Sequence, residues 1–240
     1  MTTTAFIPAR WESTRLPHKN YLPCAGESLV SRAIRVAVAA RDIGLVQQVV
    51  VAADCHVTSA DVGAARYTDS RAGHRVSIEY NRKSLDGHDV TVSQLLAGFI
   101  AEQRDWMGAA LFCVLLPTSP LRTLRHLVES RLLLRPDVDL VMSVTPIRAN
   151  LRRALSEQDG RLGLLDSLWS EEIRPLIHDG TVIWCTRAVA EAGTGFYDWW
   201  QRKCVAYHVP PEESVDVNTR FDFDVADFLL RRPAASSQTP

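Results

Sequence analysis

Short, unbroken apolar runs alternate along the chain with longer stretches whose apolar positions recur at helical spacing. The runs are Thr4 to Pro8, "QQVVVAA" from Gln47 to Ala53, "ALFCVLL" from Ala110 to Leu116 and "DLVMSVT" from Asp139 to Thr145. Continuous apolar strands are buried on both faces, as in a parallel sheet. Between them, Ser28 to Ala40 sets Leu29, Ile34 and Val38 against Arg32 and Arg35, with Ser28 placed to cap the helix. Val92 to Arg104 and Leu124 to Leu134 carry similar patterns. Strand and helix in alternation predict an α/β fold, a doubly wound and mostly parallel sheet with right-handed crossovers.

That regularity stops at Pro146. From there to about residue 180 the chain is polar and broken, with "LGLLDSLW" and "IRPLI" as its only apolar groups. The segment reads as an inserted arm, and its apolar residues suit a dimer contact. Strands resume at Thr181 to Cys185 and Val205 to Val209, and a last helix runs from about Phe223 to Leu230. One domain therefore spans 1–230, with 146–180 as the insertion and 231–240, "RRPAASSQTP", a disordered tail by composition.

Charge narrows the function. Lys plus Arg is 27 and Asp plus Glu is 28, a formal net charge of -1. Such a balance argues against a nucleic-acid binder, so a bound anion should be small and held by a local cluster. Five scattered cysteines with no paired spacing read as reduced thiols of a cytoplasmic protein. No apolar run is long enough for a signal peptide or a membrane span.

The basic cluster is on the first loop. In "IPARWESTRLPHKN", Arg10, Arg15 and Lys19 follow the first strand, where ligands of open α/β sheets bind. They suit a polyphosphate, Arg as a fork and Lys as a point charge. A solvated loop pairing with surface acids is the other reading of the same charges. "LLPTSPLR" follows a buried strand and offers Thr118, Ser119 and Arg122; "NRKSLDGHD" places Arg82 and Lys83 after another. In "SVDVNTRFDFD", alternation sets Asp216 and Asn218 on one face of an extended segment, a spacing that suits Mg²⁺. Asp222 and Asp224 read instead as acids favoured at a helix N-terminus. The chain has no P-loop, GxGxxG, HExxH or GxSxG motif.

"IPARWESTRLPHKN", "LLPTSPLR" and "SVDVNTRFD", in this order, resemble the motifs of the CMP-sugar-acid synthetases, and most of all the acylneuraminate cytidylyltransferases. The resemblance implies a Rossmann-like nucleotidyltransferase fold that uses CTP and Mg²⁺ to put CMP on an acidic acceptor, releasing pyrophosphate. By motif position it implies that Arg10, Ser13, Arg15, Lys19 and Asn20 hold the nucleotide, Arg10 and Lys19 being the catalytic cations. Arg82 would approach the base, and Asp89, Val90 and Ser93 would line its pocket. Thr118, Ser119 and Arg122 would meet the acceptor, and Asp216 and Asn218 the metal, in a cytoplasmic homodimer.

Three features depart from the pattern. Leu116 stands where the acylneuraminate enzymes have Gln, Asn218 replaces the second metal aspartate, and "SEEIRPLIHDG" follows the acceptor segment only loosely. The acceptor thus remains open between a sialic-type sugar acid and a small phosphonate, beside a third reading as an inactive nucleotide-binding homologue.

Overall fold

The computed structural model describes residues 2–53, 76–80, 90–102, 108–147, 155–158, 161–164, 175–194 and 202–232. Strand β1 (Thr2–Ala9) leads into the basic loop, which contains a 3-10 turn at Lys19–Tyr21 and ends in a small hairpin of β2 (Pro23–Cys24) and β3 (Glu27–Ser28). Helix α1 (Leu29–Asp42), β4 (Gln48–Ala53), β5 (Val76–Tyr80) and α2 (Val92–Glu102) follow. Next come β6 (Ala109–Val114), α3 (Leu124–Arg131) and β7 (Leu140–Pro146). Among the described residues, strands β8 (Leu155–Gln158) and β9 (Arg161–Leu164) pair with each other, within the expected insertion. The chain then forms β10 (Leu176–Thr186), α4 (Arg187–Ala192), β11 (Cys204–His208) and α5 (Arg220–Arg231).

Seven strands make the main sheet, in the order β11-β7-β10-β6-β1-β4-β5. The pairs β1–β4, β1–β6, β4–β5 and β7–β11 are parallel, while β10 is antiparallel to both its neighbours. The sheet is mostly parallel, as the apolar runs predict. It is doubly wound: α1 and α3 pack on one face with Ile7, Val51 and Trp184, and α2 and α4 on the other with Phe6, Val50 and Phe112. Covering both faces explains why β1 shows no polar alternation, since Ala5, Phe6 and Ile7 are all fully buried.

Local signals place the elements that border the site. Ser28 caps α1, its side chain accepting from the Ser31 amide at 3.2 Å. At the start of α2, the Thr91 amide donates to Gln94 Oε1 at 2.9 Å, and Thr91 Oγ1 accepts from the Gln94 amide at 3.3 Å. Helix α5 begins with Thr219 and Asp222 in the same reciprocal arrangement, so Asp222 does serve the helix end. Beneath the basic loop, a separate apolar cluster joins Leu16 and Leu29 to Val217 and Phe223. It brings residue 217 against a loop two hundred positions earlier.

Candidate active site

Strand β1 has β4 on one side, reached through α1, and β6 on the other, reached through α2. At this switch point, beyond the carboxyl ends of β1, β4 and β6, lies a cleft of about 480 Å³. The basic loop forms one wall, with Arg10, Ser13, Arg15, Lys19 and Asn20 all lining it. Val92, Leu95, Leu116 and Pro117 make an apolar wall.

The loop keeps its shape through its own contacts. The Tyr21 hydroxyl donates to the Ala9 carbonyl at 2.9 Å, and the Trp11 ring stacks obliquely on His18 and Tyr21. Asn20 is buried, and its Nδ2 donates to the Arg10 carbonyl at 2.9 Å. Its Oδ1 has no hydrogen-bond partner among the described residues, leaving a buried acceptor for a donor on the ligand. Arg10 reaches across the cleft to the Val90 carbonyl at 2.6 Å, just ahead of α2.

Lys19 and Arg15 meet the segment before α5. Lys19 Nζ donates to the Val217 carbonyl at 2.9 Å and to Asn218 Oδ1 at 3.4 Å. Arg15 donates to the same Asn218 oxygen at 2.6 Å. Burial lowers the Lys19 pKa from its ordinary value, with Arg15 and Arg10 adding to the shift while Asp216 and Asp222 oppose it. Three cations held close together at the mouth of a cleft favour an incoming polyanion.

Asp216 is exposed and accepts from Asn218 Nδ2. A single carboxylate fits Mg²⁺, which keeps several waters and takes further ligands from phosphates. Asn218 does not match the expected second ligand. Its oxygen accepts from two cations, and turning the amide over would set its NH₂ group against them. Among the described residues no group of three His, Cys, Asp or Glu could hold a metal alone. The residues fit an ion shared between Asp216 and ligand phosphates, with Asn218 serving the cations.

The three acceptor candidates divide. Thr118 lines the cleft, and its carbonyl accepts from the Val217 amide at 2.8 Å. Ser119 and Arg122 are buried and turned into the protein. Ser119 Oγ donates to the Asp179 carbonyl, while Arg122 donates to the carbonyls of Leu116, Gly180 and Thr181. Burial lowers the Arg122 pKa to about 10. Both brace residues 179–181 within β10, a contact invisible in the local motif because its other half lies some sixty residues away. Of the base-side candidates, Val90 lines the cleft, whereas buried Ser93 pairs its hydroxyl with Thr91. Arg82 and Asp89 lie outside the described residues.

Known proteins resemble the chain in a sequence signature and in fold. The family model for cytidylyltransferases matches residues 4–67. No curated protein matches the chain in sequence. Among solved structures, a CMP:2-keto-3-deoxy-manno-octonic acid synthetase complexed with CTP superposes with a TM-score of 0.66 at 16% identity, covering 96% of this chain and 98% of that one. A 4-diphosphocytidyl-2C-methyl-D-erythritol synthase from Anaerococcus prevotii gives 0.64 at 10% identity, covering 96% and 99%. The chain thus joins a cytidylyltransferase sequence signature in its first 67 residues to the nucleotidyltransferase fold of a CMP-sugar-acid synthetase, and it is cytidylyltransferase-like.

Proposed function

We propose that the protein transfers CMP from CTP to an acidic acceptor and releases pyrophosphate. The observation that carries this reading is the convergence of Arg10, Arg15 and Lys19 with the Asp216–Asn218 segment over one cleft at the sheet's switch point. Arg10 and Arg15 offer forked donors to phosphate oxygens, and Lys19 a point charge. The acceptor oxygen bonds to the α-phosphorus of CTP as the bond to the bridging oxygen of the β-phosphate breaks. That oxygen leaves with its electron pair on pyrophosphate, and the acceptor's proton passes to water. Positioning and charge neutralisation carry such a step, with little covalent work for the protein. Mg²⁺, when held by Asp216 and the phosphates, supplies further positive charge against the departing pyrophosphate.

The sugar-acid reading follows the motif resemblance. One observation favours a compact acid such as a phosphonate: Leu116 faces the cleft, and Ser119 and Arg122 are turned away from it. A ring hydroxyl buried against Leu116 would lose its water without gaining a partner, which disfavours a polyhydroxylated acceptor. We place catalysis in a single domain over 1–230, with the arm between β7 and β10 completing the acceptor site and a cytoplasmic homodimer. The test is pyrophosphate release from CTP with sialic-type acids and small phosphonates, products read by mass spectrometry. A CMP adduct of either class names the acceptor. CTP binding without any adduct across both classes supports the inactive homologue.

A further inference from the structure

A second polar cluster lies outside the cleft lining and has no part in the chemistry above. His126 on α3 is fully buried, with Nε2 2.7 Å from Glu213 Oε2. Its Nδ1 accepts from the Thr123 amide at 3.0 Å, so Nε2 carries the proton and donates to the carboxylate. Arg125 donates to the same Glu213 oxygen and also pairs with Glu129 at 3.1 Å, which accepts from the Tyr207 hydroxyl.

Glu213 stands three residues before Asp216, so a shift of its backbone passes to the cleft through less than about 11 Å of chain. Core packing holds this segment at its two ends, Val209 and Val217, and not at the turn between them. Val217 is buried against Leu16 and Phe223. Upstream, Pro211, Glu212 and Ser214 border an open apolar groove of about 830 Å³. The turn there closes on itself, the Glu213 amide donating to the Pro210 carbonyl at 2.9 Å. The Glu213 carboxylate is what ties that turn to α3.

We propose that Glu213 is a positioning residue for the cleft, pinning through Arg125 and His126 the segment that carries Asp216, Val217 and Asn218. The pin keeps the Val217 carbonyl and the Asn218 amide in register with Lys19 and Arg15.

The test combines amide hydrogen exchange with CTP turnover in the full chain. The turnover arm rests on the proposed CMP transfer; the exchange arm does not. In Glu213→Ala the Val217 amide, which donates to Thr118, should exchange at least about tenfold faster, an opening cost of roughly 1.4 kcal/mol. kcat/KM for CTP should fall by a similar factor, and Tm should fall as well, because the buried Nε2–H of His126 loses its acceptor. Glu213→Asp draws the carboxylate back by one methylene and should move both readouts the same way by less. Tyr207→Phe breaks the same network at its far end and should lower Tm without touching either readout. Wild-type exchange at Val217 in both Glu213 variants would overturn the proposal, as would equal acceleration in Tyr207→Phe. Absence of turnover in the wild type would instead remove the proposed function and leave the exchange result standing.

Discussion

Lys19 and Asn218 show how single side chains set the cleft's charge. Lys19 loses part of its hydration to burial, and the Val217 carbonyl and Asn218 amide partly replace it. Lys19→Ala should lower turnover by about 100-fold, the scale of losing one preorganised charge-stabilising group, without unfolding a protein whose core lies elsewhere. Near-normal steady-state rates would return the basic loop to a solvated surface role. Asn218 offers its cations a neutral oxygen, so they stay available to phosphate. In Asn218→Asp the new carboxylate competes with the triphosphate for Arg15 and Lys19, and the CTP concentration at half-maximal rate should rise several-fold. A fall in the Mg²⁺ requirement instead, read by titrating the ion against initial rate, would put residue 218 beside the metal. His126 yields a prediction in pH. Glu213 favours the imidazolium, but burial outweighs it, with Arg125 and Arg122 adding to the shift, so the folded pKa is lowered. The unfolded chain then binds the proton more readily, and stability falls as pH drops below about 6.5. Tm measured from pH 7 to pH 5 should decline less steeply in His126→Gln than in the wild type.

The irregularity at Gly180, inside β10, sets how that strand packs against Leu116 and Ser119. Gly180 has φ +76°, and a Cβ there would sit 2.9 Å from Ser119 Oγ and 3.2 Å from Leu116 Cδ1. Both the backbone conformation and the close approach call for glycine. Gly180→Ala should cost roughly 1–3 kcal/mol, read as a lower urea midpoint; an unchanged midpoint would mean that the turn relaxes freely. Most elements bordering the cleft were legible as patterns, because β1, β4 and β6 are buried on both faces and the intervening helices carry amphipathic stripes. The direction of β10 was not, since an apolar run such as "TVIWC" is the same whichever way its neighbours point. The inward turn of Ser119 and Arg122 follows from that strand, so it was hidden as well. Helix α4 escaped notice because six residues are too few for a period, although Thr186 at its start and Gly193 at its end, with φ 62°, are boundary residues.

At the scale of the molecule, the apolar strands and the first loop foretold the doubly wound sheet and a cleft at its carboxyl edge. What sequence order concealed was the joining of the loop at 10–20 to the segment at 216–218, which Leu16, Val217 and Phe223 bring together. No helix among the described residues is long and apolar enough to cross a membrane. The central claim is that this junction binds the triphosphate of CTP and delivers CMP to an acid. Nucleotide-dependent stabilisation is a first consequence: with Mg²⁺ present, CTP at about 100 times its Kd should add roughly 2.7 kcal/mol of stability, and ATP or GTP at the same concentration much less. The most direct measurement follows the α-phosphate itself. The protein would be incubated with α-³²P-CTP, Mg²⁺ and a panel of sugar acids and small phosphonates, and the label traced by chromatography and mass spectrometry. The account predicts label in one CMP–acid adduct, one pyrophosphate released per adduct, and loss of both in Lys19→Ala. Label that stays in CTP with every acid, from a protein that CTP nonetheless stabilises, would contradict it.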